Sequence, residues 1–408
     1  MPPSRTLSRR ALTTAGLTAP LALAACGGSG VSSDPDVLRV LDSYSNDPDH
    51  RIIGEALDAA ARSVGVRLER VSVSGGSLVQ RVLQQGSSGT LPDILMLDNP
   101  DLQQIASTTA LTAFGPLGIP TEDYARGVLD ACTHDGEVYG LAPTVNTIAL
   151  FYDRRALDAA GVAPPTSWEE LRSAAAALTT GGRYGFAFCA NATYENTWQY
   201  LPFFWSNGGD ERDLDTPEAA QALGLLTDLV EQGHASRSVL NWTQADVKDQ
   251  FISGRAAMMV NGPWQLPEIT SIEGLDYGIV DLPVRDPATQ TVVAPLGGEV
   301  WTVPDTGDTA KQRKAADVLT AFLSDESQLS MGEQRYTVPG KPALRSEYLQ
   351  RRPEMETFTD LIVDARARTA ELGADWPAAA KSIYTAVQLS LSGQATPREA
   401  LAEAEDYR

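Results

Sequence analysis

Cysteine, histidine and lysine are scarce in this chain of 408 residues: three Cys, three His and five Lys. So few thiols and imidazoles exclude a metal cluster or a scaffold stapled by disulfides. Beyond Cys26 no apolar run reaches 18 residues, so the body of the chain offers no spanning helix. There is no G-x-S-x-G, no H-E-x-x-H, no P-loop and no G-x-G-x-x-G after a strand. Basic charge is in deficit as well, with 32 Lys and Arg against 53 Asp and Glu and a net charge of −21. That balance argues against sequence-independent nucleic-acid binding, which needs a basic surface to displace counterions. It argues equally against anionic lipid as a partner of the folded body. What is present is globular: 43% hydrophobic and 21% charged residues, enough for two or three domains' worth of core.

The first residues read as export signal rather than fold. Arg5, Arg9 and Arg10 precede the small, apolar stretch Ala11–Ala25. Leu23-Ala24-Ala25-Cys26 resembles a lipobox, and Ser8 to Leu12 resembles a twin-arginine signal with poorly fitting residues after it. The expectation is a signal peptide over 1–25, then a lipidated N-terminus at Cys26 and a Gly/Ser-rich tether over 26–36. Two acyl chains suffice for stable anchoring, which places the body outside the cell membrane, at its outer face.

Hydrophobic periodicity then predicts a β-α-β-α-β-α start. Strands are expected at Val37–Ser45, Val66–Ser74 and Asp93–Asp98, with helices at Pro48–Val64, Ser77–Gly86 and Pro100–Leu111. Such alternation implies a mostly parallel sheet covered by helices. Val138–Asp153 reads as an extended crossover between domains, because Pro143 suits a connection better than a central strand. Ser167-Trp168-Glu169-Glu170 opens a helix with a capping box, and Thr216-Pro217-Glu218 opens another. Further strands are expected at Arg183–Ala190 and Ala256–Val260, and extended chain at Asp276–Pro283 and Thr291–Pro304; the remainder is mainly helical.

Several segments, in this order, resemble the extracellular solute-binding proteins of carbohydrate ABC import systems, the maltose-binding type among them. Phe251 to Trp264 (FISGRAAMMVNGPW) is the most specific. Tyr139–Pro143 with Leu150–Asp153 and Pro164–Leu171 is similar to a second family run. Pro92-Asp93-Ile94, Leu296–Glu299 and the tail from Ser392 to Glu405 add to it. The resemblance covers nearly the whole chain from Val37. It implies an α/β fold of two lobes, type II-like, closing on a hinge around a ligand in the cleft. The lobes are expected at 37–144 plus 297–345 and at 145–296 plus 346–408. It further implies a monomeric receptor, without enzymatic activity or cofactor, that delivers a mono- or oligosaccharide to an ABC permease. Receptors for a polyamine, a glycerol phosphate or a peptide, and a secreted glycosidase using Asp98 and Glu299, are the alternatives.

A saccharide needs flat aromatic faces and planar polar groups. Tyr44 and Ser45 end the first strand and Asp98 the third, where open α/β sheets place ligands. Tyr194 and Trp198 share a helix face near its start, whereas Trp205 reads as core. Asn146 lies at the first crossover, and Arg335 precedes the third. Glu299 and Trp301 are at strand spacing, so either both face the cleft or neither does. Asn261 and Trp264 come with the family turn, where the resemblance implies a stacking platform at Trp264; it also suggests an aromatic contact at Trp376. His50, His134 and His234 have no partners at ligand spacing and read as surface or loop residues. Cys132 and Cys189 fall in different lobes and are expected as buried free thiols rather than a bridge.

Overall fold

The computed structural model describes residues 34–108 and 110–405. The expected signal peptide and Cys26 lie outside the described residues, as do most of the tether and the last three residues. Among the described residues no helix is long and apolar enough to cross a membrane.

The first strand, Val37–Asp42, is buried along nearly its whole length and sits between two parallel neighbours, Arg67–Ser72 and Ile94–Asp98. Its two neighbours differ for a visible reason. ILMLD is apolar throughout and central, whereas RLERVS alternates exposed and half-buried residues, as an edge strand does. Glu299–Pro304 then enters antiparallel beside Ile94–Asp98 and pairs further with Leu111–Thr112 and Gly140–Leu141. The sheet is therefore parallel at its start and mixed at its far side. The expected helix over Pro100–Leu111 is shorter, Asn99–Ala106, because Leu111–Thr112 is taken into the sheet. The Asp49–Ser63 helix buries Ile52, Ile53, Leu57 and Ala60, while Val64 stays exposed beyond its end.

A second sheet runs Tyr184–Ala187, Ala256–Asn261, Ala149–Asp153, Tyr277–Val280. Ala256–Asn261 is fully buried and central, as its unbroken apolar run requires. The Ser167 capping box closes on both sides, with Ser167 Oγ accepting from the Glu170 N–H at 3.1 Å and Glu170 accepting from the Ser167 N–H at 3.2 Å. Thr216 caps the Pro217–Glu231 helix from one side, its Oγ1 accepting from the Ala219 N–H at 3.2 Å. The Tyr194–Ser206 helix is buried on every side from Asn196 onward, wrapped by Pro217–Glu231 and Trp376–Leu391.

Short pairings knit the connections between the sheets. Asn146 bridges Gly297, Val145 pairs Val338, and Pro295-Leu296 pairs Arg366-Ala367. The Arg345–Arg351 helix contacts the Asp325–Arg335 helix, and Gly373–Asp375 contacts the Asn99–Ala106 helix. Late chain thus returns to the first sheet before its last helices join the second. Cys132 and Cys189 are both buried and free, and burial pushes both thiols up, which leaves them protonated and inert.

Candidate ligand-binding site

A cavity of about 410 Å³ opens where these connections cross, a volume that suits a small ligand. One wall comes from the ends of the first sheet. Asp98 closes the third strand and Glu299 opens the antiparallel one, so the register sets the two carboxylates opposite each other. Both line the cavity. Tyr44 donates to Glu299 Oε2 at 2.6 Å, and Arg335 Nη2 donates to the Tyr44 hydroxyl at 3.1 Å. The guanidinium also lies over the Tyr44 ring, 4.6 Å from its centre, and its Nε reaches Asp49 Oδ1 at 2.9 Å. Tyr44 and Arg335 are each only 8% exposed. Burial holds the Tyr44 phenol well above its ordinary pKa, Arg335 opposing, so it remains a donor. Burial opposes the Arg335 charge, but Tyr44, Glu299 and Asp49 outweigh it and keep the guanidinium protonated.

Asp98 has a different partner, Arg368 Nη2 at 2.8 Å. Arg368 also lies over the Trp198 ring, 4.7 Å from its centre. Behind the cavity Asp101 is pushed up to about 7, first by burial and then by the charge of Asp98, with Arg368 opposing.

The opposite wall is the start of the Tyr194–Ser206 helix, capped by Thr193, which brings Tyr194, Glu195 and Trp198 to the cavity. The Trp198 ring packs on the crossovers. A Cβ at Gly297 would fall 2.6 Å from Trp198 Cη2 and 2.1 Å from Asn146 Oδ1, so only glycine fits between them. Trp198 Nε1 and Arg368 Nε are buried donors with no acceptor among the described residues. Trp264 follows the Gly262-Pro263 turn and folds its ring back over Gly262, where a Cβ would fall 2.0 Å from Cζ3. One face of Trp264 is thereby backed by main chain, and the residue lines the cavity.

Asp98, Asn146, Tyr194, Trp198, Trp264, Glu299 and Arg335 are therefore brought together. Tyr44 joins them indirectly, through its bonds to Glu299 and Arg335. Four expected residues are placed elsewhere. Ser45 is exposed, past the bend after the first strand. Asn261 is fully buried, donating to the Gln244 carbonyl at 2.9 Å and accepting from the Gly262 N–H at 3.0 Å, so it shapes the turn instead of facing the cavity. Trp301 is in the core, its ring 5.0 Å from that of Phe322. The both-or-neither rule fails because the Thr309–Phe322 helix covers the strand at Trp301, whereas Glu299 stands at its open end. Trp376 is buried in the second core at the start of its helix.

Asp49, Glu195, Gln244, Thr337 and Arg368 line the cavity without having been singled out from sequence. Glu195 had a usable signal, since it follows Tyr194 in the first turn of the same helix. Arg368 had none: it reaches the site only through the Arg366-Ala367 pairing with Pro295-Leu296.

Two α/β units with a polar and aromatic cavity among the strands that join them define a ligand-binding protein of the two-lobed, hinged type. The model of the bacterial extracellular solute-binding protein family matches residues 55–357, and the chain belongs to that family. It is a substrate-binding protein and not an enzyme; Asp98 and Glu299 are occupied by Arg368 and Tyr44 rather than set up as an acid–base pair. The maltodextrin-binding protein of Bacillus subtilis (strain 168) is 20% identical over 406 residues, covering 93% of each chain. The cyclic alpha-maltosyl-1,6-maltose binding protein of Arthrobacter globiformis superposes with a TM-score of 0.78 at 22% identity, over 91% of this chain and 97% of that one. UgpB of Mycobacterium tuberculosis, in complex with glycerophosphocholine, superposes with a TM-score of 0.78 at 20% identity, over 93% and 97%. These two likenesses establish the two-lobed fold.

Proposed function

We propose that the protein is a membrane-tethered receptor that takes a mono- or oligosaccharide into the cavity and hands it to an ABC permease. The observation that carries this reading is the composition of the walls. Tyr194, Trp198 and Trp264 supply aromatic surface, and Asp98, Glu299, Asn146, Gln244 and two arginines supply hydroxyl-sized donors and acceptors around it. Its relatives that bind maltodextrin and a cyclic maltosyl-maltose accord with that chemistry. The lobes are taken as 37–144 plus 297–345 and 145–296 plus 346–408, with Arg345–Arg351 and Gly373–Asp375 seated against the first. Closure of one lobe on the other is the signal the permease reads. Acylation of Cys26 ties a monomeric receptor to the outer face of the membrane.

Thermal unfolding against a panel of mono- and oligosaccharides tests the reading, with a polyamine, glycerophosphocholine and amino acids as controls. A ligand present at a hundred times its dissociation constant adds about 2.7 kcal/mol, a shift of several degrees. A shift with one sugar class is expected. A shift with a control alone overturns the saccharide assignment. For the anchor, Cys26→Ser releases the protein from the membrane fraction if the lipid is what holds it.

A further inference from the structure

The saccharide reading leaves one feature of the cavity unused, its charge. Asp49, Asp98, Glu195 and Glu299 line it against only Arg335 and Arg368. Arg335 is spent on Asp49 and the Tyr44–Glu299 pair, and Arg368 on Asp98. Glu195 is held by neutral groups alone, Asn191 Nδ2 at 3.0 Å, the Gln244 N–H at 3.3 Å and the Cys189 thiol at 3.6 Å, and no lysine or arginine pairs with it among the described residues. Asp101 adds a further carboxylate beside Asp98 and Tyr194, raised first by burial and then by the charge of Asp98. Neutral hydroxyls do not relieve such an excess of negative charge, whereas a cation does.

A second, independent observation points to oxygen on the same ligand. Trp198 and Arg368 are 6% and 5% exposed, both line the cavity, and each keeps a buried N–H without an acceptor. A buried donor left unpaired costs free energy that an incoming acceptor recovers. The aromatic faces of Tyr194 and Trp264 suit sugar C–H and ammonium alike.

We infer that the cavity selects a saccharide carrying a protonated amine, with the ammonium taken up at Glu195 and sugar oxygens at Trp198 Nε1 and Arg368 Nε. This rests on the saccharide reading and narrows it to amino sugars. A free phosphate or carboxylate is disfavoured by the same charge balance.

The test is isothermal titration of the purified full chain with amine–hydroxyl matched pairs: glucosamine with glucose, galactosamine with galactose, chitosan trimer with cellotriose. Neutral malto-oligosaccharides and glycerophosphocholine complete the panel. The amine of at least one pair is expected to bind about tenfold tighter than its hydroxyl twin, the size of one charge-assisted contact, and to lose that margin as salt rises. Glu195→Gln keeps an acceptor for Asn191 and Gln244 and is expected to bring the ratio toward one. Equal or tighter binding of the neutral twins, or of malto-oligosaccharides alone, overturns the inference and leaves the saccharide reading standing. A ratio unmoved by Glu195→Gln overturns the assignment of Glu195. Binding of glycerophosphocholine alone, or of nothing, overturns both.

Discussion

Asp98 and Glu299 face each other across adjacent strands, and each is satisfied by a different group, Asp98 by Arg368 and Glu299 by Tyr44. Like charges set opposite on a sheet repel, so the pair stands only while both partners hold. Arg335, which donates to the Tyr44 hydroxyl, ends the Asp325–Arg335 helix, and Arg368 follows the short Arg366-Ala367 strand that pairs with Pro295-Leu296. The acidic wall of the cavity is thus tied to the connections between the two main sheets.

Arg335→Gln should test the first tie. It removes the cation over the Tyr44 ring and leaves Glu299 and Asp49 without it. Both carboxylates reach water, so the loss is about 2 kcal/mol, less than for a fully buried pair. Arg335→Lys keeps charge but not the fork or the stack, and should fall between. Urea unfolding of the three proteins gives the order; equal midpoints would mean that the network does not hold the fold.

Two tryptophans separate stability from binding. Trp301 is fully buried against Phe322, so Trp301→Ala should cost about 3–5 kcal/mol. Trp264 is half-buried at the cavity, and Trp264→Ala should leave stability far less changed. Its ligand affinity should fall roughly thirtyfold, as for an aromatic anchor worth about 2 kcal/mol. Melting curves with and without bound sugar separate the two; the reverse pattern would exchange their roles.

How much of this was legible in sequence depends on range. Val37–Asp42, the Ser167 box and the Ala256–Asn261 strand follow from local patterns, and their residues sit where those patterns require. Asp98 was readable because it ends a strand, and Glu299 because it closes the Leu296–Glu299 segment that carries the resemblance. Trp301 was misread because spacing gives the side a residue faces and not what covers that side. Asn261 was misread because a turn's polar residue spends its groups on the turn itself. Arg368 was invisible: its place depends on contacts to Asp98 and Trp198, 270 and 170 positions away in the chain.

Gly297 is where the crossovers press closest. Gly297→Ala should lower stability by about 1–3 kcal/mol, because a Cβ there would fall 2.6 Å from the buried Trp198 ring as well as 2.1 Å from Asn146 Oδ1. Gly86→Ala is the control: it lies in a helix with nothing within 4 Å and should be neutral or slightly stabilising. Denaturant midpoints read both, and a neutral Gly297→Ala would show that the crossovers relax.

Asp101 makes stability depend on pH. Its carboxyl is pushed up to about 7 in the folded chain, from an ordinary value near 4 when unfolded. The folded state therefore holds the proton more tightly. Between pH 4 and 7 the unfolded chain has released it and the folded chain has not, so stability from this group falls as pH rises through that window. Below pH 4 the contribution is fully present; above pH 7 it is gone, and a half-buried charge beside Asp98 remains. Asp101→Asn should thus raise the melting temperature at pH 8 by a few degrees, on the order of 1 kcal/mol, and change it little at pH 4. Melts of both proteins from pH 4 to 8 decide it. A gain at pH 4 equal to that at pH 8 would assign the effect to packing rather than to charge.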